Sequence, residues 1–184
     1  MTIGVIAAME LELENLLPAM EQVERETAGG ITFYKGKAFG KEIVAAVCGI
    51  GKVFAAMCAQ TMILRYQPDC IVNLGVAGSL LPDLHVFEIV AAEQLCQHDM
   101  DTSALGDPVG LVSGVNRVYF PADETMVHLL GQCAEELGFL HRTGTIASGD
   151  QFIHTPEKKQ WIRETFGAAA AEMEGRVLCN VQHY

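Results

Sequence analysis

Basic residues are scarce in this sequence, and their scarcity argues against a nucleic-acid-binding protein. The 184 residues include 12 lysines and arginines against 23 aspartates and glutamates, a formal net charge of −11 at pH 7. Proteins that bind nucleic acids use a basic patch to neutralise phosphates, and no stripe of that kind occurs in the sequence. The acidic balance makes anionic substrates less favourable than neutral or cationic ones.

Long apolar runs and paired metal-binding motifs are also missing. Nowhere do about 18 uncharged apolar residues follow one another, so no membrane-spanning helix is predicted. The segment Met1–Ala8 has no basic region ahead of its apolar stretch, unlike a signal peptide. The six cysteines form no C-x-x-C pair and lie mostly within apolar runs, which indicates buried thiols in a reducing compartment. We therefore expect a cytoplasmic protein without a metal or other cofactor.

Half of the residues are hydrophobic, which is enough for one compact domain over residues 1–184. Short apolar runs alternate with helical segments, and a turn between two early runs indicates a hairpin. This pattern predicts an α/β fold of three layers, α/β/α, with a mixed central sheet. Strands are predicted at Thr2–Ala8, Ile31–Ala38, Glu42–Cys48, Cys70–Leu74, Phe87–Cys96, Arg142–Ala147 and Ala168–Glu172. Helices are predicted at Met9–Leu17, Lys52–Tyr66, Ala122–Leu137, Pro156–Thr165 and Gly175–Val181.

The loops after the predicted strands are the candidate site, because α/β folds bind ligands at the carboxyl ends of their strands. Gly49-Ile50-Gly51-Lys52 fails both phosphate-binding patterns, since Phe54 replaces the third glycine of the dinucleotide fingerprint and Val53 replaces the hydroxyl residue of the P-loop. A tight strand-to-helix turn is favoured there. Gly75–Ser79 fits equally well a close backbone approach to a ligand and an ordinary turn.

Two acidic motifs at the ends of predicted strands have different explanations. His98-Asp99-Met100-Asp101 is better explained as a loop with capping acids than as a metal site, because no second histidine cluster accompanies it. Strand alternation would turn Glu172 and Glu174 to the same side, next to an alanine run that must be interior. Two carboxylates at a buried strand end are costly unless they bind something, which favours a functional role for the pair.

Six motifs in this order and spacing resemble one enzyme family, the 5′-methylthioadenosine/S-adenosylhomocysteine nucleosidases of the nucleoside phosphorylase superfamily. The resemblance covers Thr2 to Gly175. The motifs are Met9-Glu10-x-Glu12, Gly49-Ile50-Gly51-Lys52, Gly75-x-Ala77-Gly78, His98-Asp99-x-Asp101, Ser148-Gly149-Asp150-x-Phe152-Ile153 and Glu172-Met173-Glu174.

The resemblance implies a role for each matching residue in hydrolysis of an N-glycosidic bond with release of adenine. Glu12 is similar to the base that activates water, and Glu174 to the carboxylate that binds the ribose hydroxyls. The expected substrate-binding residues are Met9 and Ile50 for the alkylthio group, Ala77 and Gly78 for the ribose and base, Phe152 and Ile153 for adenine, Met173 for the sugar and thioether, and Glu172. Family members are homodimers, and Thr102–Leu105 matches the segment that completes the partner's pocket.

One part of the family pattern has no counterpart in the sequence. The resemblance implies a leaving-group acid, an aspartate in a later Ser-Asp motif, which would follow one further strand beyond Tyr184; the sequence also departs from the pattern directly after Gly175. We therefore expect weak adenine release by the 184-residue chain. The alternatives are a purine nucleoside phosphorylase and a nucleoside-binding protein without activity.

Overall fold

The computed structural model describes residues 1–176, which form two compact units, one over Met1–Val76 and one from Ala77 onward. Each unit contains a five-stranded sheet with both parallel and antiparallel pairs, together with helices. The predicted α/β fold with mixed strand directions is confirmed, whereas the assignment of the whole chain to one domain stays a prediction. No helix within the described residues is long and apolar enough to cross a membrane.

The first unit is built around β1, a buried apolar strand. The elements are β1 (Thr2–Ala7), a 3₁₀ turn (Glu10–Leu13), α1 (Leu16–Ala19), β2 (Glu21–Ala28), β3 (Ile31–Ala38), β4 (Lys41–Val47), α2 (Lys52–Tyr66) and β5 (Cys70–Asn73). The strand order is β2-β3-β4-β1-β5, and β1 runs parallel to both β4 and β5. The carboxyl ends of these three strands therefore share one edge of the sheet.

The second unit also places three parallel strands side by side, here between two antiparallel edge strands. Its elements are β6 (Gly78–Ser79), β7 (Ile89–Gln97), a 3₁₀ turn (Ser103–Leu105), β8 (Phe120–Pro121), α3 (Glu124–Glu136), β9 (His141–Ser148), α4 (Pro156–Phe166) and β10 (Ala168–Glu172). The order is β6-β10-β9-β7-β8, and β9 runs parallel to β7 and β10. The buried alanines of β10 present small side chains, which leaves room for Ile162 and Phe166 of α4 to pack against the sheet.

Two sequence predictions differ from the structure in the first unit. The single helix predicted over Met9–Leu17 is wrong, because the chain forms a 3₁₀ turn and then the short helix α1. The Glu12 side chain accepts the backbone N–H groups of Ala8 and Met9, which holds the turn tight. The strand β2 was not predicted, because almost all its residues are exposed and it carries no apolar alternation. The helix predicted over Gly175–Val181 lies almost entirely outside the described residues.

Candidate active site

The carboxylate of Glu12 connects two strand ends of the first unit. Its Oε2 atom accepts the backbone N–H groups of Ala8 and Met9, each at 2.9 Å. Its Oε1 atom accepts the backbone N–H of Val76 at 3.1 Å, in the segment that follows β5. A carboxylate has about four acceptor positions, so these three donors fix its orientation and leave Oε1 able to accept one further hydrogen.

A glycine without a side chain, Gly75, lies next to the Glu12 carboxylate. A Cβ atom added to Gly75 would lie 3.1 Å from Glu12 Oε1, closer than a side chain normally approaches. Met9 is half-buried beside Glu12, and Ile50 follows β4 at the same sheet edge with 54% of its surface exposed. Gly49 and Gly51 have φ angles of 91° and 107°, which other residues rarely adopt. The predicted strand-to-helix turn at Gly49–Lys52 is therefore confirmed.

In the second unit the carboxylate of Glu172 is held by protein donors. Its Oε1 atom accepts the Ser148 hydroxyl, and its Oε2 atom accepts the backbone N–H groups of Glu174 at 2.9 Å and Gly175 at 2.6 Å. Burial raises the pKa of the Glu172 carboxyl, while the three hydrogen bonds act in the opposite direction. Because β10 ends at Glu172, strand alternation does not extend to Glu174, and the argument that both carboxylates share one side of a strand does not hold.

Glu174 and Met173 lie in the bend directly after β10. Glu174 is only 8% exposed, and its Oε2 accepts the backbone N–H of Met173 at 3.3 Å. Gly78 pairs with Ala171 across β6 and β10, which places the exposed Ala77–Gly78 backbone beside the end of the strand that leads to Glu174. The structure thus brings Ala77, Gly78, Met173 and Glu174 to the carboxyl end of β10.

Phe152 and Ile153 lie in the loop that follows β9. The Phe152 ring is 82% exposed, so its face is open to a ligand. The His154 ring lies 6.5 Å from it, at an interplanar angle of 16°. Ile153 turns inward and packs against the core cluster around Phe166. The loop therefore has a buried anchor and an exposed aromatic face.

The loop after β7 holds the loop after β9, a contact that the sequence did not indicate. Asp99 Oδ2 accepts the backbone N–H of Asp150 at 2.8 Å, and the His98 N–H donates to the Ser148 carbonyl at 3.0 Å. The His98 ring lies so close to Gly149 that an added Cβ would be 2.3 Å from two ring atoms. Asp101 accepts the backbone N–H of Ser103 at 2.9 Å, which fits the predicted capping role. Hydrogen bonding with Ser103, first through its side chain and then through its backbone, lowers the pKa of the Asp101 carboxyl.

Within the described residues, neither a metal cluster nor the cavity beside α3 coincides with these loops. No group of three or more His, Cys, Asp or Glu side chains within the described residues could hold a metal ion. A cavity of about 570 Å³ lies between α3 and the sheet of the second unit, where Glu93, His128 and Glu135 are among its lining residues. None of the predicted site residues lines it.

Comparison with known proteins identifies the family. The model of the phosphorylase superfamily matches residues 2–183. The chain is 35% identical to a 5′-methylthioadenosine/S-adenosylhomocysteine nucleosidase of Shewanella loihica, over 100% of the chain and 80% of that protein. It is 37% identical to an aminodeoxyfutalosine nucleosidase of Helicobacter pylori, over 94% of the chain and 75% of that protein.

Solved structures agree with the sequence relatives. A Helicobacter pylori mutant nucleosidase with 5′-methylthioadenosine in its active site matches at a TM-score of 0.94 and 35% identity, covering 99% of this chain and 79% of that one. A Neisseria meningitidis nucleosidase in complex with methylthio-immucillin-A matches at the same TM-score of 0.94 and 35% identity, over 99% and 79% of the two chains. The chain therefore belongs to the phosphorylase superfamily and, within it, to the 5′-methylthioadenosine/S-adenosylhomocysteine nucleosidases, which are N-glycosyl hydrolases.

Proposed function

We propose that the protein hydrolyses the N-glycosidic bonds of 5′-methylthioadenosine and S-adenosylhomocysteine and releases adenine. The observation that carries this proposal is the Glu12 carboxylate, fixed by three backbone donors at the carboxyl edge of a sheet. Its remaining acceptor position on Oε1 suits a water molecule. Deprotonation of that water by Glu12 supplies the nucleophile for the anomeric carbon of the ribose.

The reaction breaks the bond between the anomeric carbon and the purine nitrogen. The sugar passes through an oxocarbenium-like state, and the oxygen of the activated water joins the anomeric carbon while its proton goes to Glu12. Adenine leaves with the bonding electron pair and takes a proton from solvent, and Glu12 returns its own proton to solvent. Carboxylates near the ribose stabilise the positive charge that develops on the sugar. Glu174 is the carboxylate to which we assign that role, together with binding of the ribose hydroxyls.

The remaining substrate contacts are assigned by the character of each residue. The exposed Phe152 ring offers a flat face on which adenine can stack. Ile153 is anchored in the core, so its backbone is held still for contacts with the adenine edge. Met173 packs against the sugar and thioether, and Ala77 and Gly78 line the ribose and base. Met9 and Ile50 are apolar residues suited to an alkylthio group.

We assign water, and not phosphate, as the nucleophile. A phosphorylase needs arginines or hydroxyl groups around its phosphate, yet Val76 beside Glu12 is apolar. Arg65 is paired with Glu26. Arg142 is paired with both Asp83 and Glu88. These two arginines are therefore already occupied by carboxylates.

Adenine release measured with and without inorganic phosphate tests the reaction type. We expect release from 5′-methylthioadenosine at the same rate in both conditions. Release only with phosphate would favour the purine nucleoside phosphorylase, and nucleoside binding without release would favour the inactive binding protein. Because the relatives include an aminodeoxyfutalosine nucleosidase, aminodeoxyfutalosine should be tested as a substrate in the same assay. Its kcat/KM relative to that for 5′-methylthioadenosine decides which substrate the site prefers.

We also propose a homodimer, and the exposed face of α2 supports it. Val53, Phe54, Met57 and Leu64 are 66%, 52%, 45% and 70% exposed, although all are large and apolar. The opposite face of α2 is already buried through Ala55, Cys58, Ala59 and Met62, so the helix is apolar on both sides. A second copy of the chain would remove this face from water.

The mass in solution tests the dimer. Light scattering coupled to size exclusion is expected to give twice the chain mass for the wild type. Leu64→Glu adds a charge to the exposed face and is expected to shift the protein toward monomer. Leu11→Glu, at another exposed leucine, serves as the matched control and should not change the mass. A monomeric wild type would contradict the proposal.

A further inference from the structure

We propose that Ser148 and Glu172 act together as positioning residues that hold the segment Met173–Arg176, and with it Glu174, in the conformation that binds ribose. The inference rests on the proposed role of Glu174. It assigns to Glu172 a task different from substrate contact, because its carboxylate is directed at protein groups.

The two side chains accept hydrogen bonds from three consecutive backbone N–H groups of the segment. Glu172 Oε2 accepts the N–H groups of Glu174 and Gly175, at 2.9 Å and 2.6 Å. Ser148 Oγ accepts the next N–H, that of Arg176, at 2.8 Å, while its own hydrogen goes to Glu172 Oε1. Three consecutive backbone donors are thus attached to one linked pair of side chains.

Such donors need partners because the chain becomes helical at this point. Gly175 and Arg176 have helical geometry, and the first N–H groups of a helix have no acceptor within the helix itself. Ser148 is fully buried, so water cannot replace its hydroxyl at no cost. Glu172 and Ser148 therefore supply the cap on which the position of this bend depends.

The far end of the segment is also fixed, which limits where it can go. Arg176 is fully buried, and its guanidinium carbon lies 3.1 Å from the centroid of the Phe120 ring. Glu174 lies between this anchor and the Glu172 carboxylate. A change at Glu172 is therefore transmitted directly to Glu174, whereas a change at Ser148 is transmitted to it through Glu172 and Arg176.

Substitution of Ser148 separates this role from a direct contact. In Ser148→Ala the Arg176 N–H and one Glu172 oxygen lose their partner while the carboxylate itself stays. We expect kcat/KM for the nucleoside to fall about 10- to 100-fold, the range for unsatisfied buried polar groups. Glu172→Gln keeps shape and some acceptor capacity, so it should lose less activity than Glu172→Ala. Ser113→Ala, at an exposed loop serine, is the matched control and should match the wild type.

A double-mutant cycle distinguishes action through Glu174 from general damage. If Ser148 acts through Glu174, adding Ser148→Ala to Glu174→Gln should cost less than about threefold, whereas independent effects would multiply. The affinity for free adenine, which lacks ribose, should stay within about twofold in Ser148→Ala. A full multiplicative loss in the cycle, or an equal loss of adenine affinity, overturns the proposal.

Amide hydrogen exchange tests the inference without any enzymatic activity. The amides of Glu174, Gly175 and Arg176 should be protected in the wild type and in Ser113→Ala. In Ser148→Ala the Arg176 amide should exchange at least about tenfold faster, and in Glu172→Ala those of Glu174 and Gly175 should do so. Unchanged protection overturns the proposal. A wild type that releases no adenine but shows these exchange changes would reject the proposed function and leave the positioning role supported.

Discussion

Glu12 and Val76 are joined by a hydrogen bond of 3.1 Å from the Val76 backbone N–H to the Glu12 carboxylate, although 64 positions separate them in the sequence. The bond exists because the strands β1 and β5 are parallel neighbours, so the loops that follow them start from the same sheet edge. Through it, the base that we assign to the reaction is oriented by the backbone of a second loop.

The first prediction concerns Glu12→Gln. The amide keeps the size of the carboxylate but cannot take a proton from water, so kcat should fall about 10²- to 10⁴-fold. The NH₂ group of the glutamine must also point at a backbone N–H donor, because both carboxylate oxygens of Glu12 accept such donors. This repulsion should lower the stability of the protein slightly. Single-turnover adenine release and equilibrium binding measure the two effects separately. Turnover within tenfold of the wild type, with binding unchanged, would mean that another group activates the water.

The placement of the candidate site residues was predictable from the sequence where it depends on strand ends. Glu12 follows the apolar strand β1 of the first unit, whereas Phe152 and Glu174 follow β9 and β10 of the second, and α/β folds bind ligands in loops at such strand ends. The contacts of Glu172 were not predictable, because they depend on Ser148, 24 positions earlier, and on the point where β10 stops. The charge of Glu172 suggested a functional role, but only the structure shows which groups donate hydrogen bonds to its carboxylate.

The fold was predictable where burial shaped the residue pattern. The helix predicted over Lys52–Tyr66 and the strand predicted over Ala168–Glu172 have the bounds found in the structure. The strand β2 could not be found in this way, since it is held by backbone pairing with β3 while its side chains face water. The 3₁₀ turn after β1 depends on hydrogen bonds of one side chain, which periodicity does not record.

The second prediction concerns Gly149→Ala, which places a methyl group against the buried His98 ring. The new Cβ would lie 2.3 Å from the His98 Cε1 and Nε2 atoms, and His98 is only 1% exposed, so the ring has little room to move. We expect the free energy of unfolding to fall by roughly 1–3 kcal/mol, as for other overpacked sites. Thermal and urea unfolding measure it.

Removal of the ring supplies the control for that substitution. His98→Ala on its own should destabilise the protein, because it opens a cavity. In His98→Ala the added methyl at Gly149 has space, so the double variant should lose less stability than the sum of the two single losses. Additive losses would show that the methyl group is disfavoured for a reason other than the ring.

The third prediction is that Phe87→Gly stabilises the protein. Phe87 has a φ angle of 71° and is 91% exposed, so its ring contributes little packing while its backbone is in the left-handed region. That conformation costs roughly 1–2 kcal/mol for a residue with a Cβ, and glycine adopts it freely. Glycine loses more conformational entropy on folding than other residues do. After that cost is subtracted, we expect the free energy of unfolding to rise by about 0.5–1 kcal/mol. Phe139→Gly, at an exposed phenylalanine outside the positive-φ set, should instead lose stability in the same unfolding assay.

The last prediction concerns the reactivity of the thiols. Burial raises the pKa of Cys58 and of Cys96 to about 12, and both side chains are fully buried, whereas Cys133 is exposed. Alkylation requires the thiolate, and at pH 8 a thiol with that pKa is ionised to about one part in ten thousand. Iodoacetamide should therefore label Cys133 in the folded protein and leave Cys58 and Cys96 unmodified, as read by peptide mass spectrometry.

In urea, where burial is lost, all three should react. Labelling of Cys96 at the rate of Cys133 without denaturant would show that the second unit opens far more often than its buried core implies.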